Sequence, residues 1–146
     1  MTDQPDFDLR AFLPYLLNQA AEEASLDFQH HYKGRYGMLR TEWRVLFHLG
    51  RYGAMTANEI GARAKMHKTK ISRAVAALEK KRVLTRERVE TDRRREMLAL
   101  TPAGRRAYDD LSARARDYDA RLMAPFTEQE RAVLKRALAR IGKLED

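Results

Sequence analysis

Apolar side chains recur at threes and fours along most of this chain, which is the signature of amphipathic helix. Leu9, Phe12, Leu13, Leu16, Leu17, Ala20, Ala24 and Phe28 form the first such stripe and predict a long helix over about residues 8–32. Pro14 falls within its first two turns, where it marks either a kink or a later start. Gly34 and Gly37 bracket a loop, after which Thr41 is placed to cap a helix carrying Trp43, Leu46, Phe47 and Leu49. Gly50 and Gly53 close that helix.

Thr56-Ala57-Asn58-Glu59 is a capping box, with hydroxyl and carboxylate three residues apart to satisfy the orphan N–H groups of a helix start. It opens a short helix to about residue 65. A turn at Met66-His67-Lys68 leads into a second helix to about residue 81, with Ile71, Ala74, Val75 and Leu78 on one face. The pattern then changes. Residues 83–88 and 96–100 have strand composition, and the polar run 89–95 between them predicts a β-hairpin. Thr101-Pro102 restarts helix, with threonine as cap and proline at the first helical position. That helix extends to about residue 123 and ends before Pro125; a second capping box, Thr127 to Glu130, opens a last helix through Val133, Leu134, Leu138 and Ile141. The fold class is therefore mainly α: a helix-turn-helix with a two-stranded β wing, flanked by helical arms. The 146 residues suit one domain, with a lobe over 40–104 and arms over 8–36 and 105–146.

Charge sharpens this picture. Residues 57–106 hold 15 Lys/Arg against 6 Asp/Glu, an excess of nine, whereas the remainder holds 14 against 15. A concentrated basic block between neutral arms suits nucleic acid, because clustered cations release counterions from phosphate. The absence of cysteine excludes disulfides, thiolate zinc sites and thiol redox sensing. No apolar run approaches the roughly 20 residues of a membrane span, and the N-terminus carries acids where a signal peptide needs basic residues. A soluble, cytoplasmic protein without a membrane partner is expected.

With Ile71, Ala74, Val75 and Leu78 turned to the core, the opposite face of that helix carries Thr69, Ser72, Arg73, Ala76 and Lys80, with Lys68 and Lys70 near its start. This composition fits a major groove: arginine pairs bidentately with guanine, hydroxyls reach base edges or phosphates, and alanine allows close approach. A solvated basic face is the alternative for the helix alone. The hairpin weighs against it. Arg93, Arg94 and Arg95 repel one another at an exposed tip, and Asp92 or Glu90 as partners would contribute less than about 1 kcal/mol each. Arginines at the end of a β-ribbon suit a narrow minor groove.

From Leu39 to Tyr108 the chain resembles the MarR-type (multiple antibiotic resistance regulator) winged helix-turn-helix transcription factors. The closest match is Asp92-Arg93-Arg94, followed by a short strand and Leu100-Thr101-Pro102-Ala103-Gly104, which is similar to the family's Asp-x-Arg wing and Leu-Thr-x-x-Gly helix start. The resemblance implies that Arg94 enters the minor groove and that Asp92 orients the wing or Arg94 itself. It places the recognition helix at about 67–81. Two departures stand out: Arg82 replaces the usual glycine after that helix, and His67 stands where a capping Ser, Asp or Asn is frequent.

The resemblance also implies a homodimer built from the N- and C-terminal helices, binding double-stranded DNA at a pseudo-palindromic operator, as a repressor. The amphipathic arms fit this; the alternative is that they cover their own domain. A small anionic aromatic effector would release the DNA, with His31, Tyr32, Tyr36, Arg40, Trp43 and Tyr108 as candidate lining groups. Packing is the competing role for each, Trp43 above all. His30 and His31 point roughly 100° apart on a helix, so no metal is expected, and no other cofactor. Neither a phosphate loop nor a nucleophile elbow is present, so an enzyme is not expected. An architectural binder without sequence preference is the remaining alternative.

Overall fold

The computed structural model describes residues 6–144, without the side chains of Arg93 and Arg94. Asp8 caps a 3-10 turn over Leu9–Ala11, its Oδ1 accepting from the Arg10 amide at 3.0 Å. The first long helix, α1, spans Leu13–Gln29. Pro14 is its second residue, so the proline marks a later start, not a kink. The expected loop after it is partly helical: the chain widens into a π-turn over His30–Gly34 before Gly37, at φ 64, turns it back.

Helix α2 spans Arg40–Tyr52. Thr41 lies inside its first turn and is not the cap; instead the Glu42 carboxylate reaches back to the Leu39 amide at 3.0 Å. The capping box at Thr56 and Glu59 opens α3, Ala57–Ala64, with reciprocal bonds of 3.2 Å each. Lys65 then turns the chain left-handed, φ 53, into α4, Lys68–Lys80. A two-stranded antiparallel sheet follows, β1 over Leu84–Val89 and β2 over Asp92–Leu100, paired from Leu84↔Leu100 to Arg88↔Glu96 with an irregularity at the tip. Its edge is pinned to the segment before α3 by a reciprocal backbone pair, Met55 to Leu98 at 3.1 Å and Leu98 to Met55 at 2.8 Å.

Thr101 starts α5, Pro102–Met123: its hydroxyl accepts from the Gly104 amide at 3.0 Å and donates to the Arg82 carbonyl at 2.7 Å. A Cβ on Gly104 would stand 2.0 Å from the Val83 carbonyl oxygen, so the wing root and the start of α5 approach each other closely enough to require glycine. The core gathers Val45, Leu46 and Leu49 of α2, Ile60 of α3, Ile71, Val75 and Leu78 of α4, and Leu84 and Leu98 of the hairpin, all buried. Removing such side chains from water is what holds the three helices and the wing as one body.

The chain forms two compact units, the first ending at Ser112 and the second beginning at Ala113. In the second, helix α6 spans Glu128–Ile141 and opens on the Thr127–Glu130 capping box. Arg131 bonds the Met123 carbonyl at 2.8 Å, and Lys135 meets Asp119 at 3.1 Å. Val133, Leu134, Leu138 and Ile141 are all exposed on α6.

Candidate nucleic-acid interface

Helix α4 divides as its periodicity predicts. Ile71, Ala74, Val75 and Leu78 are buried, while Lys68, Thr69, Lys70, Ser72, Arg73, Ala76 and Lys80 are exposed. Six polar or charged groups thus project from one side of a helix whose other side is fixed by the core. The N-terminal turn borders a cleft of about 360 Å³ between α3 and α4, where Asn58, Lys68 and Ser72 meet Ala57, Gly61 and Met66.

Both ends of α4 are built from residues that depart from common usage. His67 is the N-cap, its Nδ1 accepting from the Thr69 amide at 3.3 Å, so the imidazole does the work of a serine or aspartate with its unprotonated nitrogen. At the other end Arg82 adopts φ 61, the left-handed conformation in which glycine is usual. The Arg82 amide bonds the Glu79 carbonyl at 2.9 Å and the Val83 amide bonds the Leu78 carbonyl at 3.1 Å, the two bonds of a Schellman close. Lys81, between them, turns inward to the buried Glu42.

The regular pairing of the wing joins Leu84–Arg88 to Glu96–Leu100, the two stretches of strand composition. Only Glu90 and Thr91 separate the strands, but regular pairing stops at Arg88↔Glu96, and Arg93, Arg94 and Arg95 stand in the irregular stretch of β2 between that pair and Val89↔Asp92. The side chains of Arg93 and Arg94 lie outside the described residues. Arg95 is held by Glu59 of α3, Nη2 to Oε1 at 3.2 Å. Arg86 of β1 reaches Glu79 of α4 at 3.2 Å and Glu96 across the hairpin at 3.5 Å.

The six candidate effector residues fall into four settings. Tyr32 is buried and lies parallel to Trp43, ring centroids 6.2 Å apart, with Phe28 between them and His31. Tyr108 packs over Gly50, near enough that a Cβ there would be 2.2 Å from its ring, and Arg105 lies over its face at 5.4 Å. Phe47 links Trp43 to Tyr108, with centroids 5.5 and 6.0 Å away. Tyr36 stands apart: its hydroxyl donates to Asp110 at 2.5 Å. Burial, then that carboxylate, raises the phenol above its ordinary pKa. Arg40 meets Glu22 at 3.1 Å; that bond first, then one to Tyr32, holds the guanidinium above its ordinary value.

The sequence pattern points to neither Glu42 nor Arg44, and shows Glu59 only as half of a capping box, without its Arg95 partner. Arg44 donates to the Ala64 carbonyl at the end of α3, and burial lowers its pKa. Each acts on a residue distant in sequence, so no local motif announces its partner. Among the described residues no cluster of His, Asp and Glu is arranged to hold a metal, and no helix is long and apolar enough to cross a membrane.

Residues 36–95 match the model of the MarR family. An uncharacterized HTH-type transcriptional regulator of Bacillus subtilis, YwoH, is 24% identical over 96 residues, covering 66% of this chain and 69% of its own. The crystal structure of a probable transcriptional regulator from Pseudomonas aeruginosa is 29% identical, covers 92% of this chain and 99% of its own, and superposes with a TM-score of 0.76. Bordetella bronchiseptica BpsR shares the fold at a TM-score of 0.86 and 17% identity, over 97% of this chain and 100% of its own.

Proposed function

We propose that the chain, whose residues 36–95 match the MarR family model, is a winged-helix transcriptional regulator of that type and represses transcription as a homodimer on a pseudo-palindromic operator. Helix α4 would read the major groove through Lys68, Thr69, Lys70, Ser72, Arg73 and Lys80, and Arg93 and Arg94 would enter the adjacent minor groove, with Asp92 orienting them. The observation that carries this reading is the division of α4. A helix whose one face is locked in the core while the other projects hydroxyls, arginine and lysines can dock rigidly on a duplex.

The homodimer is supported by the apolar faces left exposed on the arms. Leu9, Phe12, Leu13 and Leu16 in the N-terminal arm, and Val133, Leu134, Leu138 and Ile141 in α6, are large apolar side chains left exposed in the single chain. A second copy of the chain would cover them. Two-fold symmetry then spaces the half-sites by about 10 base pairs.

Release by a small aromatic acid is supported by the half-buried wall of Trp43, Phe47 and Tyr108, with the Arg40 guanidinium on the same helix as Trp43. BpsR is regulated in its DNA binding by 6-hydroxynicotinic acid. An effector of this class would bring a ring for the wall and a carboxylate for Arg40.

Selection from a random duplex pool tests the function. Recovery of a two-fold-symmetric sequence that unrelated duplex does not displace at fixed salt is the expected result. Arg94→Ala should weaken binding about tenfold while the dimer stays folded, and Arg73→Ala should relax preference at one position per half-site. Equal competition by any duplex would make the protein an architectural binder instead.

A further inference from the structure

Three arginines stand along the wing, and each is paired with carboxylate. Arg95 of β2 meets Glu59 of α3 at 3.2 Å, Arg86 of β1 meets Glu79 of α4 at 3.2 Å, and Arg88 lies 3.9 Å from Glu96 on the opposite strand. Two of these pairs leave the hairpin, and they reach different helices. One strand of the wing is tied to α3 and the other to α4. We propose that Glu59 and Glu79 are positioning residues for DNA binding: with Arg95 and Arg86 they strut the wing against the helix-turn-helix and fix where residues 90–94 stand relative to the reading face of α4.

The proposal rests on the duplex-binding reading above and alters it in two ways. It takes Arg95 out of the set of DNA contacts, and it gives a role to two acidic residues that a purely electrostatic view would count against binding.

Glu59 is suited to this because its position does not depend on Arg95. One carboxylate oxygen accepts from the Thr56 amide at 3.2 Å as half of the capping box, leaving the other, Oε1, aimed at the Arg95 guanidinium. An acceptor already held by its own helix spares part of the side-chain entropy that usually cancels an exposed ion pair. The backbone pair between Met55 and Leu98 anchors β2 three residues further on. The hairpin beyond that anchor has freedom to swing, and Arg95 lies at the point where a tether limits it. On β1, Arg86 is set directly opposite Leu98 in the register, so the two struts flank the same anchored position.

The sign of the Glu59 effect separates a strut from a bystander. A carboxylate that merely lies near phosphates repels them, and its removal tightens binding. A strut that is removed loosens the wing and weakens binding. Gln at position 59 still serves the capping box, so Glu59→Gln removes the ion pair without unmaking α3.

The test uses the full chain and a duplex selected from a random pool by the wild-type protein. Glu59→Gln and Arg95→Gln should each weaken binding about two- to fivefold, the range an exposed pair can supply. The double variant should be no weaker than either single one, and the dependence of log Kd on log salt should keep its wild-type slope. In the free protein, the hairpin amides should exchange faster by the same factor in both variants. Glu79→Gln and Arg86→Gln should behave as a second such pair. Tighter binding by Glu59→Gln overturns the proposal. So does a salt slope reduced by about 0.9 in Arg95→Gln, since that is the mark of one lost phosphate contact. If the wild-type chain selects no duplex, the functional reading falls, and unchanged hairpin exchange in the free variants would then sink the strut independently.

Discussion

Glu42 and Lys81 are 39 residues apart in sequence and joined at the edge of the core, the carboxylate Oε1 accepting from Nζ at 2.5 Å while its Oε2 accepts from the Leu39 amide at 3.0 Å. Glu42 is 3% exposed and is the one buried charged residue among those described. It caps the start of α2 and holds the end of α4 in the same act. Lys81→Met leaves that carboxylate buried without its cation and should cost about 1–3 kcal/mol in urea unfolding, less than a fully buried pair because the ammonium is partly solvated. The neighbouring Lys80→Met should change stability by less than about 0.5 kcal/mol. Duplex binding should order them oppositely, with the salt slope falling for Lys80→Met alone. Equal stability losses would mean that Lys81 is a surface residue like its neighbour.

Arg82 completes the close of the same helix in a conformation that costs an L-residue about 1 kcal/mol or more. Arg82→Gly keeps both Schellman bonds and the Thr101 bond to its carbonyl, none of which uses the Arg82 side chain. Part of the gain is lost because glycine is freer in the unfolded chain. A net stabilisation of about 0.5–1 kcal/mol is expected, read as a higher midpoint at an unchanged denaturant slope. A lower midpoint would show that the Arg82 side chain makes a contact worth more than the backbone strain.

The sequence made some of this legible and hid the rest for identifiable reasons. The stripe Ile71, Ala74, Val75, Leu78 specified which side of α4 would be buried, and both capping boxes predicted helix starts, because these signals are local and periodic. Arg82 announced a special backbone only by occupying a glycine position. The regular pairing of the wing, Leu84–Arg88 with Glu96–Leu100, follows the strand composition closely, whereas the irregularity that places Arg93, Arg94 and Arg95 between the Val89↔Asp92 and Arg88↔Glu96 pairs has no local signal. Tyr32 illustrates a different limit. Composition offers an aromatic, but only packing tells that this one is buried against Phe28 and Trp43.

Gly104 and Gly50 both lie in helices and both crowd a neighbour, yet the neighbours differ. At Gly104 a Cβ would stand 2.0 Å from the Val83 carbonyl oxygen, which is backbone and cannot rotate away. At Gly50 the obstacle is the Tyr108 ring, at 2.2 Å, which is a side chain. Gly104→Ala should therefore destabilise by about 2 kcal/mol or more despite alanine's better helix propensity. Gly50→Ala should cost less and displace Tyr108, visible as a change in tyrosine fluorescence or ring proton shifts. If Gly104→Ala is neutral, the close approach of the wing root to α5 is wrong.

Glu130 supplies the pH dependence. Its carboxylate accepts from the Thr127 amide at 2.9 Å, and the Thr127 backbone and hydroxyl together hold its pKa below the ordinary carboxylate value. A group whose folded pKa is depressed contributes its stability above the unfolded value and loses it as pH falls through the folded one. Between those two values the start of α6 should therefore loosen progressively on acidification, because the neutral acid is a poor acceptor and its charge no longer complements the helix N-terminus. Amide exchange at residues 127–131, corrected for the intrinsic effect of pH, should lose protection in that window and be restored on return to neutral pH. Glu130→Gln should carry the loosened start at every pH and abolish the dependence. A wild-type profile that matches Glu130→Gln throughout would mean that the capping box holds α6 without help from the charge.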